Sequence, residues 1–239
     1  MYFIANWKMF GGLNSLNSLN KVIKFSKNFK KRKSIKIIYC PPNTLIYLMT
    51  KKLKSSKIEV GAQNCHEFDG PGAFTGSVNS KMLKNVGAKY VIIGHSENRK
   101  KGETNKLINL KIRSALKSGL KVIFCIGETL KEKKRKKTRQ VLNKQIKEGL
   151  NKVLDKKKIM IAYEPVWSIG TGRVPKPNEL EKTVRFIKKR KNFKVLYGGS
   201  VNPNNLDNFK SINIIDGFLI GGASQNPENF IDIIKKTYN

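Results

Sequence analysis

Short apolar runs alternate along this chain with stretches of helical spacing. The runs at Tyr2–Ala5, Lys36–Tyr39, Ile58–Ala62, Tyr90–Ile93, Val122–Ile126, Met160–Tyr163, Lys194–Tyr197 and Gly217–Ile220 predict eight strands. Most are continuously apolar rather than alternating, the pattern of parallel strands covered on both faces. Between them, Leu180, Val184 and Ile187 recur at i, i+4, i+7, and Phe230, Ile233 and Ile234 at i, i+3, i+4, as on the buried stripe of a helix. Asn178 with Glu181 reads as a capping-box start. Asn202-Pro203 and Asn226-Pro227 each place a cap residue before a proline at the first helical position. Eight β-then-α units without a linker-like break predict an α/β fold, a closed (β/α)8 barrel in a single domain over residues 1–239, rather than an open doubly wound sheet.

Composition adjusts this picture at two points. The chain has 239 residues, within the roughly 200–250 over which α/β barrels run as one domain. Its 49 Lys+Arg against 16 Asp+Glu give a formal charge of +33. Charge of that size suggests a disordered tail, but the basic residues are spread from Lys8 to Lys236 among regular apolar segments. Lysine outnumbers arginine 41 to 8, with abundant Asn and Ile, as codon drift in an AT-rich genome would produce. A nucleic-acid surface would instead bring clustered Arg and stacking aromatics, so no specific nucleic acid is expected. Lys131–Arg139 is the only patch, and it reads as a helix start with a solvated face. No apolar run approaches the ~18 residues of a membrane span. The first residues show neither basic flank nor small-residue cleavage site, so no signal peptide is expected. Cys40, Cys65 and Cys125 are odd in number and widely spaced, which sets a reducing cytoplasm as the default.

A barrel gathers its chemistry at the C-terminal ends of its strands. Polar groups recur there: Asn6-Trp7-Lys8 after the first run, Gly94-His95-Ser96-Glu97 after the fourth and Glu164-Pro165-Val166-Trp167 after the sixth. Gly198-Gly199-Ser200 follows the seventh and Gly221-Gly222-Ala223-Ser224 the eighth. Singly, each has a plainer reading: Lys8 a surface lysine, His95 a hydrogen-bonded structural histidine, the glycine pairs ordinary turns. Their joint placement after five strands is what points to a site. His66 lies near Glu67 and Asp69 but without a second ligand at helical spacing, so no metal is expected there. Cys125 has no base beside it in the sequence and is expected to pack beneath the site.

At these residues the chain resembles the triosephosphate isomerase family, from Tyr2 to Tyr238. The matching motifs are Asn6-Trp7-Lys8-Met9, Gly72-Ala73-Phe74-Thr75-Gly76, Gly94-His95-Ser96-Glu97 and Cys125-Ile126-Gly127-Glu128. They continue through Ala162-Tyr163-Glu164-Pro165-Val166-Trp167, Ile169-Gly170-Thr171-Gly172, Tyr197-Gly198-Gly199-Ser200-Val201 and Gly221-Gly222-Ala223-Ser224. The resemblance implies interconversion of dihydroxyacetone phosphate and glyceraldehyde 3-phosphate through an enediolate, without metal or organic cofactor. Glu164 matches the family's base, which desolvation must strengthen, and Ile169 and Leu219 match the apolar clamp around it. His95 matches the neutral-imidazole electrophile, a role for which this family is the standard example, with the turn at Ser96–Arg99 behind it. Lys8 matches a positive charge near the enediolate, Asn6 a hydrogen-bonding neighbour, and Glu97 a support for Lys8 or Asn6. The phosphate would be held by backbone N–H groups of Gly170, Ser200, Gly221 and Gly222.

The resemblance also implies a homodimer, in which a loop at about Cys65 to Asn79 carries Thr75 to the partner's active site, with His66 at the contact. A family glutamate is replaced here by Ser77 and a family arginine by Asn98, the two ends of an ion pair across that contact. Losing both charges together is nearly neutral where losing one strands the other. In the lid, Ser168 stands where alanine is common, and Pro175 is expected to narrow the far hinge.

Overall fold

Eight parallel strands close into a barrel in chain order, β1 through β8, with β1 pairing β8 to complete the ring. The computed structural model describes residues 1–190, 192–210 and 212–238. The strands are β1 Tyr2–Asn6, β2 Lys36–Cys40, β3 Glu59–Ala62, β4 Tyr90–Ile93, β5 Lys121–Ile126, β6 Ile159–Tyr163, β7 Lys194–Tyr197 and β8 Gly217–Ile220. All eight predicted strands are therefore present. Five bounds differ by one residue: β1 and β2 run on to Asn6 and Cys40, β5 and β6 begin at Lys121 and Ile159, and Ile58 lies just before β3, buried but outside the ladder that pairs Glu59 with Ile38.

Helices cover the outside: α1 Leu19–Asn28, α2 Ile46–Leu53, α3 Ser80–Asn85, α4 Ser96–Lys100, α5 Asn105–Lys117, α6 Leu130–Lys134, α7 Thr138–Gly149, α8 Pro177–Lys188, α9 Asp207–Lys210 and α10 Pro227–Tyr238. Among the described residues no helix is long and apolar enough to cross a membrane. Burial explains why the strands read as continuous apolar runs. Alternate residues point inward, where Ile4, Ile38, Cys40, Ile92, Ile123, Cys125, Leu196 and Leu219 fill the barrel. The others point outward against the helix stripes, such as Leu180, Val184 and Ile187 of α8 and Phe230, Ile233 and Ile234 of α10.

Three helix starts differ from the sequence reading. Lys131–Arg139 is not one helix start: α6 ends at Lys134, Lys136 turns through the left-handed region at φ 57°, and α7 begins at Thr138. Asn178 is no cap, because Pro177 is already the first helical residue and Lys176 precedes it in extended geometry. Asn202 does act as a cap, accepting from the N–H groups of Asn204 at 2.9 Å and Asn205 at 3.1 Å. It closes a turn, however, and α9 begins only at Asp207. Asn226 caps as expected, accepting from Asn229 N–H at 2.9 Å at the head of α10.

Candidate active site

At the C-terminal end of the barrel a cavity of about 250 Å³ is bounded by Asn6, Lys8, His95, Glu164 and Leu219 on the strand side. Ile169, Gly170, Ser200, Gly221 and Gly222 bound it on the loop side. Residues from five strand ends thus converge. A larger cleft of about 610 Å³ opens at the barrel's other end, around Tyr2, Tyr90 and Lys194, and contains none of these groups.

Glu164 follows β6 and is anchored by its own N–H, which donates to Ile126 O at 2.7 Å. Its Oε1 lies 3.2 Å from His95 Nε2, and its Oε2 accepts from Ser96 N–H at 3.4 Å. The side chain is buried, and burial raises its pKa against the opposing pull of His95, the Ser96 amide and Lys8. Gly127 makes this placement possible: a Cβ there would stand 1.7 Å from Glu164 O.

His95 follows β4 and precedes the first residue of α4. Its carbonyl accepts from the N–H groups of Asn98 and Arg99, at 2.9 and 3.0 Å. Its Nδ1 accepts from Glu97 N–H at 3.2 Å. A nitrogen that accepts a backbone proton carries none, so the ring's proton sits on Nε2, facing Glu164 and the cavity. The helix start expected behind His95 is there, and it fixes the tautomer.

Lys8 is held in a left-handed backbone at φ 56°. Asn6 Oδ1 accepts its N–H at 3.1 Å, and Gln63 Nε2 donates to its carbonyl at 2.8 Å and to Cys40 O at 2.9 Å. The ammonium meets Glu97 Oε1 at 2.5 Å. Burial would raise the Glu97 pKa, but the Lys8 hydrogen bond, with the neighbouring His95, Lys8 and Lys100 groups, outweighs it and holds the carboxylate below its usual range. Of the two partners considered for Glu97, the contact is with Lys8.

Three groups near the site, Gln63, Arg99 and Glu128, were given no role from sequence, and a fourth contact joins two serines that were named there. Gln63 fixes Lys8, as above. Arg99 joins two strand ends, donating from Nε to Gly94 O at 2.8 Å and from Nη2 to Cys125 O at 3.1 Å. Glu128, buried, accepts from Tyr163 Oη and from Trp167 Nε1 at the root of the lid. Ser200 N–H donates to Ser168 Oγ at 3.4 Å, which gives a buried serine a link to the loop after β7. Each acts through a contact distant in sequence, and no local motif signals it.

Cys125 lies inside the barrel beneath Glu164, and burial pushes its thiol well above the ordinary range, so it is protonated and unreactive. The expected contact residues lie apart from the cavity: Thr75 and Ser77 are exposed on the loop after β3, and Asn98 is half-buried on α4. His66 lies on the same loop, with Phe68 N–H donating to its Nδ1 and its ring 4.3 Å from that of Phe74.

Residues 1–237 match the family model described as triosephosphate isomerase. The chain is 43% identical over 246 residues to "Triosephosphate isomerase" of Dictyoglomus thermophilum, covering 97% of both chains. It is 40% identical over 247 residues to that of Carboxydothermus hydrogenoformans, covering 98% of this chain and 97% of the relative. The crystal structure of triosephosphate isomerase from Bartonella henselae superposes with a TM-score of 0.88 at 34% identity, over 99% of this chain and 98% of the other. With the match running the length of the barrel and through every strand end that lines the cavity, the chain belongs to the triosephosphate isomerase family.

Proposed function

We propose that Glu164, His95 and Lys8 are the groups with which this isomerase interconverts dihydroxyacetone phosphate and D-glyceraldehyde 3-phosphate. The observation that carries the assignment is the 3.2 Å approach of Glu164 Oε1 to His95 Nε2 in a cavity also reached by Lys8. Glu164 removes a proton from one carbon of the substrate and returns it to the neighbouring carbon, and its burial makes it a stronger base than a solvated carboxylate. The enediolate oxygens gain negative charge in that step. His95 meets them with its Nε2–H and Lys8 with its ammonium, donors already in place before the charge develops. Asn6 and Glu97 position Lys8 from its backbone and its ammonium. Ile169 and Leu219 exclude water from Glu164.

The phosphate is held by main-chain N–H groups of Gly170, Ser200, Gly221 and Gly222. Gly170 and Gly222 line the cavity, and a Cβ at either would meet no protein atom, which leaves the main chain there open to a ligand. Glu164→Gln tests the assignment in a coupled isomerase assay. Loss of about 10²–10⁴ in turnover is the expected result, and wild-type turnover would overturn it.

The reading extends to a cytoplasmic homodimer. Three buried free cysteines suit a reducing compartment. Exposed Met9, Phe10, Leu13, Tyr47, Phe68, Phe74 and Met82 all come from segments that follow β1, β2 and β3, a concentration of apolar surface that suits a second copy. Thr75 projects from the same region, and Ser77 and Asn98 meet across the contact.

A further inference from the structure

Ser168 ends the short 3-10 turn Val166–Ser168 at the root of the lid, and its side chain is fully buried. Three polar groups surround its hydroxyl. Arg173 O, on the far flank of the lid, is 2.5 Å away, Tyr197 Oη at the end of β7 is 3.0 Å away, and Ser200 N–H is 3.4 Å away. The donor inventory assigns every proton. A carbonyl only accepts, so the serine proton goes to Arg173 O, and the Tyr197 hydroxyl and the Ser200 amide donate to the two lone pairs of Oγ. Burial raises the Tyr197 pKa and keeps that hydroxyl a donor. One donor and two acceptor sites are then all in use. The main chain passes directly over the pair: a Cβ at Gly199 would stand 2.2 Å from Tyr197 Oη and 2.7 Å from Ser168 Oγ, so only glycine fits.

We propose that Ser168 is a positioning residue for the substrate's phosphate: its hydroxyl binds both flanks of the lid to β7 and, through its contact with the Ser200 N–H, keeps the lid root against the loop that receives the phosphate. The inference rests on the phosphate assignment made above. In the empty site the Ser200 amide is occupied by a long bond to Ser168 Oγ. An incoming phosphoryl oxygen, carrying negative charge, is the better acceptor and receives the Ser200 N–H hydrogen bond in place of Ser168 Oγ. The Tyr197 and Arg173 bonds then keep Ser168, and with it the lid root, in register with the phosphate loop. The hydroxyl thus links the two segments that must close on the same phosphate. Ser168→Ala removes the link while deleting a single atom, and it leaves Glu164, His95 and Lys8 untouched.

Three measurements on the full-length protein test this. The dissociation constant of inorganic phosphate and the KM for triose phosphate should both rise about two- to tenfold in Ser168→Ala, the range of one net hydrogen bond, while kcat stays within about twofold of wild type. Tyr197→Phe should cost a similar factor, and the double variant should cost no more than the larger single effect, because one linkage is lost either way. The Ser200 amide proton shift should differ between wild type and Ser168→Ala in phosphate-free protein and coincide at phosphate saturation. A phosphate affinity that does not change, additive losses, or a Ser200 shift identical in the two phosphate-free proteins would each overturn the proposal. If Tyr197→Phe does not fold, the Ser200 comparison decides alone. Failure of the underlying reading looks different: wild type would then turn over no triose phosphate, whatever the phosphate titrations gave.

Discussion

Trp167 donates its indole N–H to the Glu128 carboxylate at 3.0 Å, and Lys133 Nζ stands 3.9 Å from the centre of the same indole. Tyr163 Oη is the second donor to Glu128, at 3.1 Å, so a buried carboxylate joins the end of β6 to the near flank of the lid. Burial raises the Glu128 pKa, and the Trp167 and Tyr163 hydrogen bonds oppose the rise.

Removing the indole donor should therefore weaken both stability and lid control. Trp167→Phe keeps an aromatic ring but leaves a buried carboxylate short of a partner, at a cost of about 1–3 kcal/mol. Urea unfolding should show that loss. Relaxation dispersion on the lid amides should show faster exchange, with kcat/KM reduced. Unchanged stability together with unchanged exchange would separate Glu128 from the lid.

The acid side of the activity profile should report Glu164. Burial raises its pKa, so the base protonates, and kcat/KM falls, at a pH above the ordinary glutamate value of about 4.3. Stability follows with a definite sign. A carboxylate whose pKa is higher folded than unfolded makes the native state hold more protons across that window, so its contribution is favourable below the unfolded value and is lost as pH rises through the folded one. Glu164→Gln should consequently be more stable than wild type at neutral pH, with the difference shrinking toward pH 4. Parallel unfolding curves from pH 4 to 8 check this, and a difference that grows on acidification contradicts it.

The strands were legible because parallel strands covered on both faces leave continuous apolar runs, and Asn6, Lys8, His95, Glu164, Ser200, Gly221 and Gly222 because they follow those runs within a few residues; Ile169, Gly170 and Leu219 came only from the resemblance to the family. Cap positions were less legible. Asn178 has the right chemistry for a cap, yet Pro177 fixes its φ one residue earlier and claims the helix start. Lys136 has no side-chain signal for its left-handed turn between α6 and α7. Gln63 and Arg99 were missed for a different reason: they serve the site by donating to carbonyls of other strand ends, and backbone carbonyls are the same at every residue type. Ser168 could be seen only as a departure from the family, and its three partners only in the folded chain.

Gln63 carries the next expectation. Its amide supplies the bonds to Lys8 O and Cys40 O that hold Lys8 in a backbone region most side chains avoid. Gln63→Ala should release that backbone and let the ammonium wander from the cavity, lowering kcat/KM about tenfold, equivalent to roughly 1.4 kcal/mol. Lys8→Ala should cost more, and adding Gln63→Ala to it should cost little further, since the positioned group is already gone. Steady-state kinetics on the four proteins measure the coupling. Independent losses would mean that Gln63 acts elsewhere.

Assembly is tested at Ser77 and Asn98. Ser77 is exposed and Asn98 half-buried, and among the described residues no hydrogen bond joins their side chains within one chain. Phe68 and Phe74 on the loop after β3 and Met82 on α3 leave apolar surface exposed. If two copies bury that surface, Ser77 of one faces Asn98 of the other, and a neutral pair takes the place of the family's ion pair. Ser77→Glu alone would bury an unpaired carboxylate, and Asn98→Arg alone an unpaired guanidinium, each weakening the dimer by up to about 3–5 kcal/mol where burial is complete. Introduced together the two charges meet, and much of the loss should return. Sedimentation equilibrium on the four proteins gives the coupling directly. Additive losses would show that the two positions do not meet, and a monomeric wild type would remove the dimer. The apolar loops after β1, β2 and β3 would then need another partner to cover them.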